Sequence, residues 1–249
     1  MRYVFFSAVS AVVLILAGCA TRGPLTWTPP GDLVATVMST PSARTVQASG
    51  TIQVTSPDGI YSGGLLLFYK CPDSVKVLIQ IGFGTTVAEV AMTNSDGIAY
   101  FPQQREAYII DPGAALAIGT STVYPALLAR LMSPVTAEDI NDETTTVVIG
   151  DRYYYLRGES TSGVRTWKIN GRTRDLEGED FVSAESTIRW SRSFAIHRNR
   201  RVPSFFSVTF GETIMTVHLN RIDVTPEWKS NPFGVRLPEN LEPIRMGPY

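Results

Sequence analysis

Cys19 is the residue whose type and position point most directly to chemistry, because it ends the apolar run LILAGC. Its thiol is a nucleophile to which another group can be joined. The segment before it has Arg2 as its only charge and is apolar over residues 3–16, which is the layout of a secretory signal. This run of about 14 residues is shorter than the roughly 20 that cross a bilayer as a helix. We therefore expect residues 1–18 to be a removed leader.

The cut site resembles the lipobox of bacterial lipoproteins, because residues 16–19 read Leu-Ala-Gly-Cys. The resemblance implies that Cys19 is diacylated on its sulfur, that the leader is cut before it, and that the new amine is acylated. Acyl chains that each contribute about 0.8 kcal/mol per buried methylene would make this attachment permanent. Ala20 rather than an aspartate follows, which implies sorting to the outer membrane. The alternative is an ordinary secreted protein with an incidental cysteine.

Composition and charge exclude several classes of protein. The full chain has 22 basic and 23 acidic residues, and loss of the leader removes Arg2 only, so the mature chain is nearly neutral. It is therefore not a general nucleic-acid binder. Two histidines and one remaining cysteine, Cys71, leave little for a soft metal site and no intrachain disulfide. No Gly-x-Ser-x-Gly elbow and no glycine-rich phosphate loop with its lysine occurs. We expect neither an enzyme nor a cofactor.

The pattern along the chain predicts one mainly β domain. Residues 19–31 form the lipidated cysteine and a Pro/Gly/Thr-rich tether, and residues 32–249 form the domain. Apolar spacing predicts a short helix over 32–38, and period-two alternation predicts a meander of antiparallel hairpins over 45–110. A second, amphipathic helix is predicted over 122–132 with Thr122 as its N-cap. Strands resume at residue 144, so we expect a large antiparallel sheet curved into a barrel or half-barrel, with one or two helices against it.

The order of these elements resembles the LolA/LolB superfamily of lipoprotein carriers and receptors, over roughly residues 32–241. The stretches that resemble the first three strands, the penultimate hairpin and the ending of that family are GTIQV (50–54), GGLLLFY (63–69), CPDSVKV (71–77), VP (202–203) with FFSVTF (205–210), TIMTVHLNRID (213–223) and NPFGVRLP (231–238). The resemblance implies an unclosed β-barrel with an apolar concave face that holds acyl chains under the helices. A lipidated chain resembles LolB, the outer-membrane receptor, more than LolA, the periplasmic carrier.

The resemblance also implies two kinds of site. The turn Gly82-Phe83-Gly84 matches a LolB turn whose exposed apolar residue helps insertion into the membrane; the alternative is an aromatic side chain folded back onto the sheet. Apolar residues at inward positions are the predicted lining of the ligand cavity, and their alternative is the ordinary core of a filled barrel. The predicted lining residues are Leu65, Leu67, Val77, Ile79, Val87, Val90, Leu127, Leu128 and Leu131.

Two charged clusters remain. The segment RWSRSFAIHRNRR predicts a basic contact patch for phosphate head groups or an acidic partner, and its alternative is a solvated loop before Pro203. The residues of the patch are Arg189, Arg192, Arg198, Arg200 and Arg201. The carboxylates of Glu138, Asp139, Asp142 and Glu143 follow the second helix, where a solvated turn explains them better than acid/base catalysis.

The expected function is that of an outer-membrane lipoprotein on the periplasmic face, which binds acyl chains and aids delivery of lipid or lipoprotein. The expected partners are the membrane, a LolA-like carrier and client lipoproteins or lipids, with no nucleic acid, and the expected state is a monomer. The alternative is a non-catalytic structural or interaction lipoprotein of an envelope assembly, built on the same scaffold with a filled core.

Overall fold

A computed structural model describes residues 24–93, 96–111, 116–118, 121–123, 125–140, 145–185 and 187–245. The predicted leader, Cys19 and the first part of the tether lie outside the described residues, so the expected lipidation stays a prediction. Within the described ranges, no helix is long and apolar enough to cross a membrane.

The described residues form two α-helices, a short 3₁₀ helix and sixteen strands. The helices are α1 (Pro30–Ser39), α2 (Pro125–Met132) and the 3₁₀ turn Ala137–Asp139. The strands of the first half are β1 (Thr45–Ser56), β2 (Gly59–Lys70), β3 (Ser74–Ile81), β4 (Thr85–Met92), β5 (Gly97–Phe101), β6 (Glu106–Ile110), β7 (Leu116–Ile118) and β8 (Ser121–Val123). Those of the second half are β9 (Thr146–Ile149), β10 (Tyr153–Ser160), β11 (Gly163–Asn170), β12 (Leu176–Ser183), β13 (Ile188–His197), β14 (Arg200–Phe210), β15 (Thr213–Asp223) and β16 (Ile244–Arg245).

Fourteen of these strands form one sheet in the order β16-β6-β5-β4-β3-β2-β1-β15-β14-β13-β12-β11-β10-β9. Neighbours are antiparallel except for β16, which runs parallel to β6. The sheet has two free edges, β16 and β9, because β1 pairs with β15 in its middle while its ends do not meet. The predicted fold, a mainly β, curved, unclosed sheet with one or two helices, is confirmed.

Several local predictions need correction. The second helix begins at Pro125, and Thr122 lies in β8 rather than at an N-cap, since β7 and β8 pair as a separate hairpin. The arginine-rich segment is not a loop but most of a hairpin, in which Arg198 and Asn199 both have positive φ. That geometry is the two-residue turn whose twist matches antiparallel strands.

The inner face of the sheet forms the core. Alternate residues of β2, such as Leu65, Leu67 and Tyr69, are buried, as the period of a strand requires. Together with β1, β3, β14, β15 and α2 they form the largest hydrophobic cluster. A second cluster packs Leu33, Val34 and Val37 of α1 against β10–β12. The helices therefore lie inside the curve of the sheet, where α2 contacts β3, β4 and β14.

The Pro-rich tail covers part of the opposite face. Trp228 donates its indole N–H to Gln47 Oε1 at 3.1 Å and packs edge-on against Phe68 and Phe233. Lys76 lies under the same segment, where its ammonium donates to the carbonyl of Gly234 at 2.7 Å and pairs with Glu89. The middle of the sheet is thus covered on both faces.

Candidate functional site

An apolar cleft lies between α2 and strands β11–β14 on the inner face of the sheet. Its volume is about 480 Å³, which falls in the range of small-molecule sites. Its floor is the stacked pair Phe181 and Trp190, whose ring centroids are 5.4 Å apart. The lining residues are Leu127, Arg130, Ser162, Arg165, Phe181, Ile188, Trp190 and Phe210. Trp190 is buried in the main core, and the other apolar members are its half-buried fringe, so this is where the core opens to solvent.

A smaller and more polar cleft of about 240 Å³ adjoins the apolar cleft. The two share Arg130, Arg165 and Trp190 as walls. The polar cleft is lined by Cys71, Pro72, Arg130, Ser133, Pro134, Thr136, Asp139, Arg165, Glu179, Trp190 and Arg192. One side of the site is therefore hydrocarbon and aromatic, and the other carries ionised groups.

Arg192 holds the end of α2 against the sheet. It is 4% exposed, and its Nη2 lies 2.6 Å from Oε2 of Glu179, which is 2% exposed on the neighbouring strand β12. The Nη1 of Arg192 donates to the carbonyls of Leu131 at 2.8 Å and Ser133 at 2.7 Å. The last carbonyls of a helix lack partners within the helix and carry partial negative charge, so a buried cation satisfies them.

Arg165 and Asp139 extend this network into the clefts. Arg165 Nη1 donates to Asp139 Oδ1 at 2.8 Å, and its Nε lies 3.4 Å from Glu179 Oε1. Thr136 and Asp139 cap the 3₁₀ turn reciprocally, which fixes the carboxylate. Burial raises the pKa of the Asp139 carboxyl, but the hydrogen bonds from Thr136 and Arg165 lower it by more, so the net pKa lies below the ordinary 3.8.

Arg201 holds the end of α1 against the sheet, as Arg192 holds the end of α2. Its side chain is 2% exposed, and Nη2 donates to the carbonyl of Val37 near the end of α1 at 2.6 Å. Its backbone N–H donates to Pro41 and its carbonyl accepts from Ala43, both at 2.8 Å. Burial lowers the pKa of this guanidinium. Both helices are therefore tied to the sheet through buried arginines of β13 and β14.

The structure places most of the predicted cavity residues in packed clusters. Leu65, Leu67, Val77, Leu128 and Leu131 lie in the main core, and each is at most 8% exposed.

The other predicted lining residues lie in different parts of the structure. Val90 belongs to a smaller cluster, against which Ile79 also packs. Val87 is half-buried and is the extra residue of a bulge between β3 and β4. Leu127 alone of the predicted set lines the apolar cleft. A ligand contact at the other eight predicted residues stays a prediction.

The turn Gly82-Phe83-Gly84 forms the tip of the β3–β4 hairpin. Phe83 is fully exposed and is not folded back onto the sheet. Gly82 and Gly84 both have positive φ, which explains the two flanking glycines. Ile81 beside the turn and Ile60 on β2 are also exposed. The position suits the predicted membrane contact, which itself stays a prediction.

The five predicted patch arginines do not share one surface. Arg189 and Arg198 are exposed and Arg200 is half-buried, whereas Arg192 and Arg201 are buried on the inner face. The network also includes Glu179, Arg165 and Arg130, which sequence reasoning missed. The alternation of β13 could have indicated this network, because Trp190 and Arg192 occupy successive inward positions. A charged side chain at an inward position requires an oppositely charged or hydrogen-bonding partner in the core. Asp139 lies in this network rather than in a solvated turn, and Asp142 and Glu143 lie outside the described residues.

No group of three or more His, Cys, Asp or Glu side chains able to hold a metal ion occurs among the described residues. Cys71 is a half-buried free thiol at the polar cleft.

Comparison with known proteins gives a likeness in structure and none in sequence. No protein-family model matches the chain, and no curated protein matches it. The outer membrane lipoprotein-sorting protein domain from Vibrio parahaemolyticus matches with a TM-score of 0.50 at 8% identity, over 77% of this chain and 90% of that one. A LolA superfamily protein from Nitrosomonas europaea matches with a TM-score of 0.49 at 11% identity, over 81% and 96%. A DUF1329 family protein from Desulfovibrio piger matches with 0.49 at 8% identity, over 78% and 93%.

The fold expected from the resemblance, a curved and unclosed antiparallel sheet with covering helices, is therefore confirmed by the likeness to the lipoprotein-sorting domain. At 8% identity to the lipoprotein-sorting domain, the likeness extends to the fold and not to cargo or partner.

Replacing Arg192 with methionine is expected to lower the free energy of unfolding by about 3–5 kcal/mol, because Glu179 would lose its closest charged partner while staying buried. Urea unfolding of the wild type and of the Arg192→Met variant measures this difference in the free energy of unfolding. Arg189→Met on the same strand is the control, since Arg189 is exposed, and it should change stability by less than about 0.5 kcal/mol. Equal stability of the two variants would show that the network contributes nothing.

Asp139→Asn is expected to flatten the dependence of stability on acid pH. A carboxyl whose pKa is lowered by folding stabilises the protein above its unfolded pKa, and that stability is lost as the pH falls through the folded pKa. The wild type should therefore lose more stability than the variant between pH 5 and pH 2, as measured by urea midpoints. Glu138→Gln, an exposed neighbour, serves as the control. An unchanged acid slope in Asp139→Asn would contradict this assignment.

Proposed function

We propose that this protein is a lipid-anchored protein of the bacterial outer membrane that holds an acyl chain in the apolar cleft and aids delivery of lipid or lipoprotein to that membrane. The observation that carries the proposal is the cleft itself. It offers aromatic and aliphatic side chains beside a helix, in a chain whose fold is that of a lipoprotein-sorting domain.

The cleft suits an acyl chain because its floor and most of its lining side chains are apolar while its mouth is open. Phe181, Ile188 and Phe210 are only half-buried although they adjoin a well-packed core. Covering apolar surface of this kind with a methylene chain removes both from water, which gains roughly 25 cal/mol per Å². Cargo transfer then needs no cofactor, since the driving force is the exchange of one apolar environment for another.

The position of α2 offers a way to admit cargo. Its carbonyl end is tied to Arg192, while Leu127 lies at the cleft. The cargo enters beside a helix that is fixed at one end. The predicted lipid at Cys19 would keep this site near the membrane surface.

A protein that binds acyl chains should retain bound lipid when it is purified from the cells in which it is made. We expect native mass spectrometry of residues 19–249 with Cys19→Ser to show bound lipid, and a fluorescent C16 fatty acid to bind saturably. Ile188→Asp should weaken that binding at least tenfold, because a charge in the cleft opposes an apolar chain. Ile196→Asp is the matched control, since Ile196 is an exposed isoleucine of the same strand outside the cleft.

An empty protein that takes up no fatty acid would contradict the proposal. The alternative of a structural lipoprotein with a filled core would then be the working account.

The β3–β4 hairpin is the proposed membrane contact. Phe83→Ser should leave the urea midpoint unchanged, since the side chain is fully exposed in the folded protein. It should weaken binding to phospholipid vesicles about tenfold or more, because burial of a phenylalanine side chain in lipid is worth about 1.5–3 kcal/mol. Vesicle flotation of the Cys19→Ser chain measures this without the anchor. Val148→Ser, an exposed apolar residue of β9, is the control. Equal flotation of the Phe83 variant and the control would exclude this role.

A further inference from the structure

We propose that the site binds an amphiphile with a single long acyl chain and an anionic head, and that Arg130 and Arg165 bind that head. This inference rests on the proposed function for the tail and adds the chemical class of the head. It starts from the junction of the two clefts. The apolar cleft and the polar cleft meet at Arg130, Arg165 and Trp190, so a ligand that lies in the first reaches the second.

The charges that line the two clefts do not balance. Three arginines, Arg130, Arg165 and Arg192, face two carboxylates, Asp139 and Glu179. Glu179 is occupied by Arg192 at 2.6 Å, and Asp139 by Arg165 at 2.8 Å. One positive charge is therefore left over in a partly desolvated place, where an anion is attracted more strongly than in bulk water.

The excess charge belongs to Arg130. Its side chain is 56% exposed, and its Nη2 lies 3.6 Å from Asp139 Oδ1, which is too long for a hydrogen bond. Arg130 projects from α2 next to the apolar cleft, where the head of a bound acyl chain would emerge. A guanidinium has five N–H donors and binds carboxylate or phosphate through two parallel hydrogen bonds.

Arg165 is held in place for the same task. Its guanidinium carbon lies 5.8 Å from the ring centres of both Trp167 and Phe181 and 6.0 Å from that of Trp190. Contacts of this kind with aromatic faces, together with its bond to Asp139, fix the orientation of the guanidinium. The cation is thus preorganised at the wall that the two clefts share, and binding of an anion there costs little side-chain entropy.

Displacement of a fluorescent C16 fatty acid from residues 19–249 with Cys19→Ser tests this inference. The competitors are palmitate, hexadecanol and lysophosphatidic acid, each used below its micelle concentration. Hexadecanol has the same tail without the charge. Palmitate or lysophosphatidic acid should bind about tenfold more tightly than hexadecanol, as expected for hydrogen bonds to a charged group. Whichever of the two binds more tightly identifies the head as a carboxylate or a phosphate.

Substitutions of the arginines test whether these side chains contact the head of the ligand or affect ligand binding in general. Arg130→Gln should reduce the preference for the charged competitor over hexadecanol to less than about threefold, while Arg130→Lys should keep part of the preference. Arg157→Gln, an exposed arginine of β10 that lines neither cleft, is the control.

Equal binding of palmitate, lysophosphatidic acid and hexadecanol to the wild type would overturn the inference and leave the proposed function intact. So would a preference that survives both Arg130→Gln and Arg165→Gln. If no amphiphile binds at all, the proposed function itself fails.

Discussion

The buried guanidinium of Arg192 is the interaction on which the inner face of this protein depends. It joins the neighbouring strands β12 and β13 to the carbonyl end of α2, where Ser133 lies 59 residues before Arg192 in the sequence. A buried cation needs paired partners, and a helix end needs donors for its last carbonyls. The guanidinium of Arg192 donates to the last carbonyls of α2, which satisfies both groups, so the helix is fixed against the concave face of the sheet. Arg201 likewise donates to a carbonyl of α1, that of Val37, although its buried Nε has no hydrogen-bond partner among the described residues. The fold uses two charged side chains where a purely apolar contact would leave both helix ends unsatisfied.

The position of α2 creates the candidate site. Because its carbonyl end is tied to β13, the helix lies beside strands β11–β14 without closing over them. The core is dense under the helix, where Leu131 and Met132 are buried, and it opens at Phe181 and Ile188. The arginines that stabilise the helix also line the polar side of the opening. One network therefore shapes the cleft and supplies its charge.

The sequence predicted the sheet and the two helices because their signals are local. Alternation along residues 45–92 and the turn residues between strands determine the meander without reference to the rest of the chain. The buried network was not predictable in this way, since its members come from β11, β12, β13, α2 and the turn at Asp139. Arg192 also interrupts the apolar alternation of β13, which made a strand resemble a charged loop. The cavity residues predicted from the resemblance identify the inward face correctly at Leu65 and Leu67, but alternation alone does not distinguish a filled core from a lined cavity. That difference depends on where α2 lies.

The proposed function requires that an acyl chain occupies the apolar cleft and not the middle of the sheet. The most direct measurement is photo-crosslinking of a C16 fatty acid that carries a diazirine near its tail, followed by peptide mass spectrometry of the adduct. We expect adducts in the peptides that contain Leu127, Phe181 and Ile188, and their loss when unlabelled palmitate is present in excess. Saturable adducts confined to β2 and β3, around Leu67 and Val77, would place the ligand in the centre of the sheet and contradict the account.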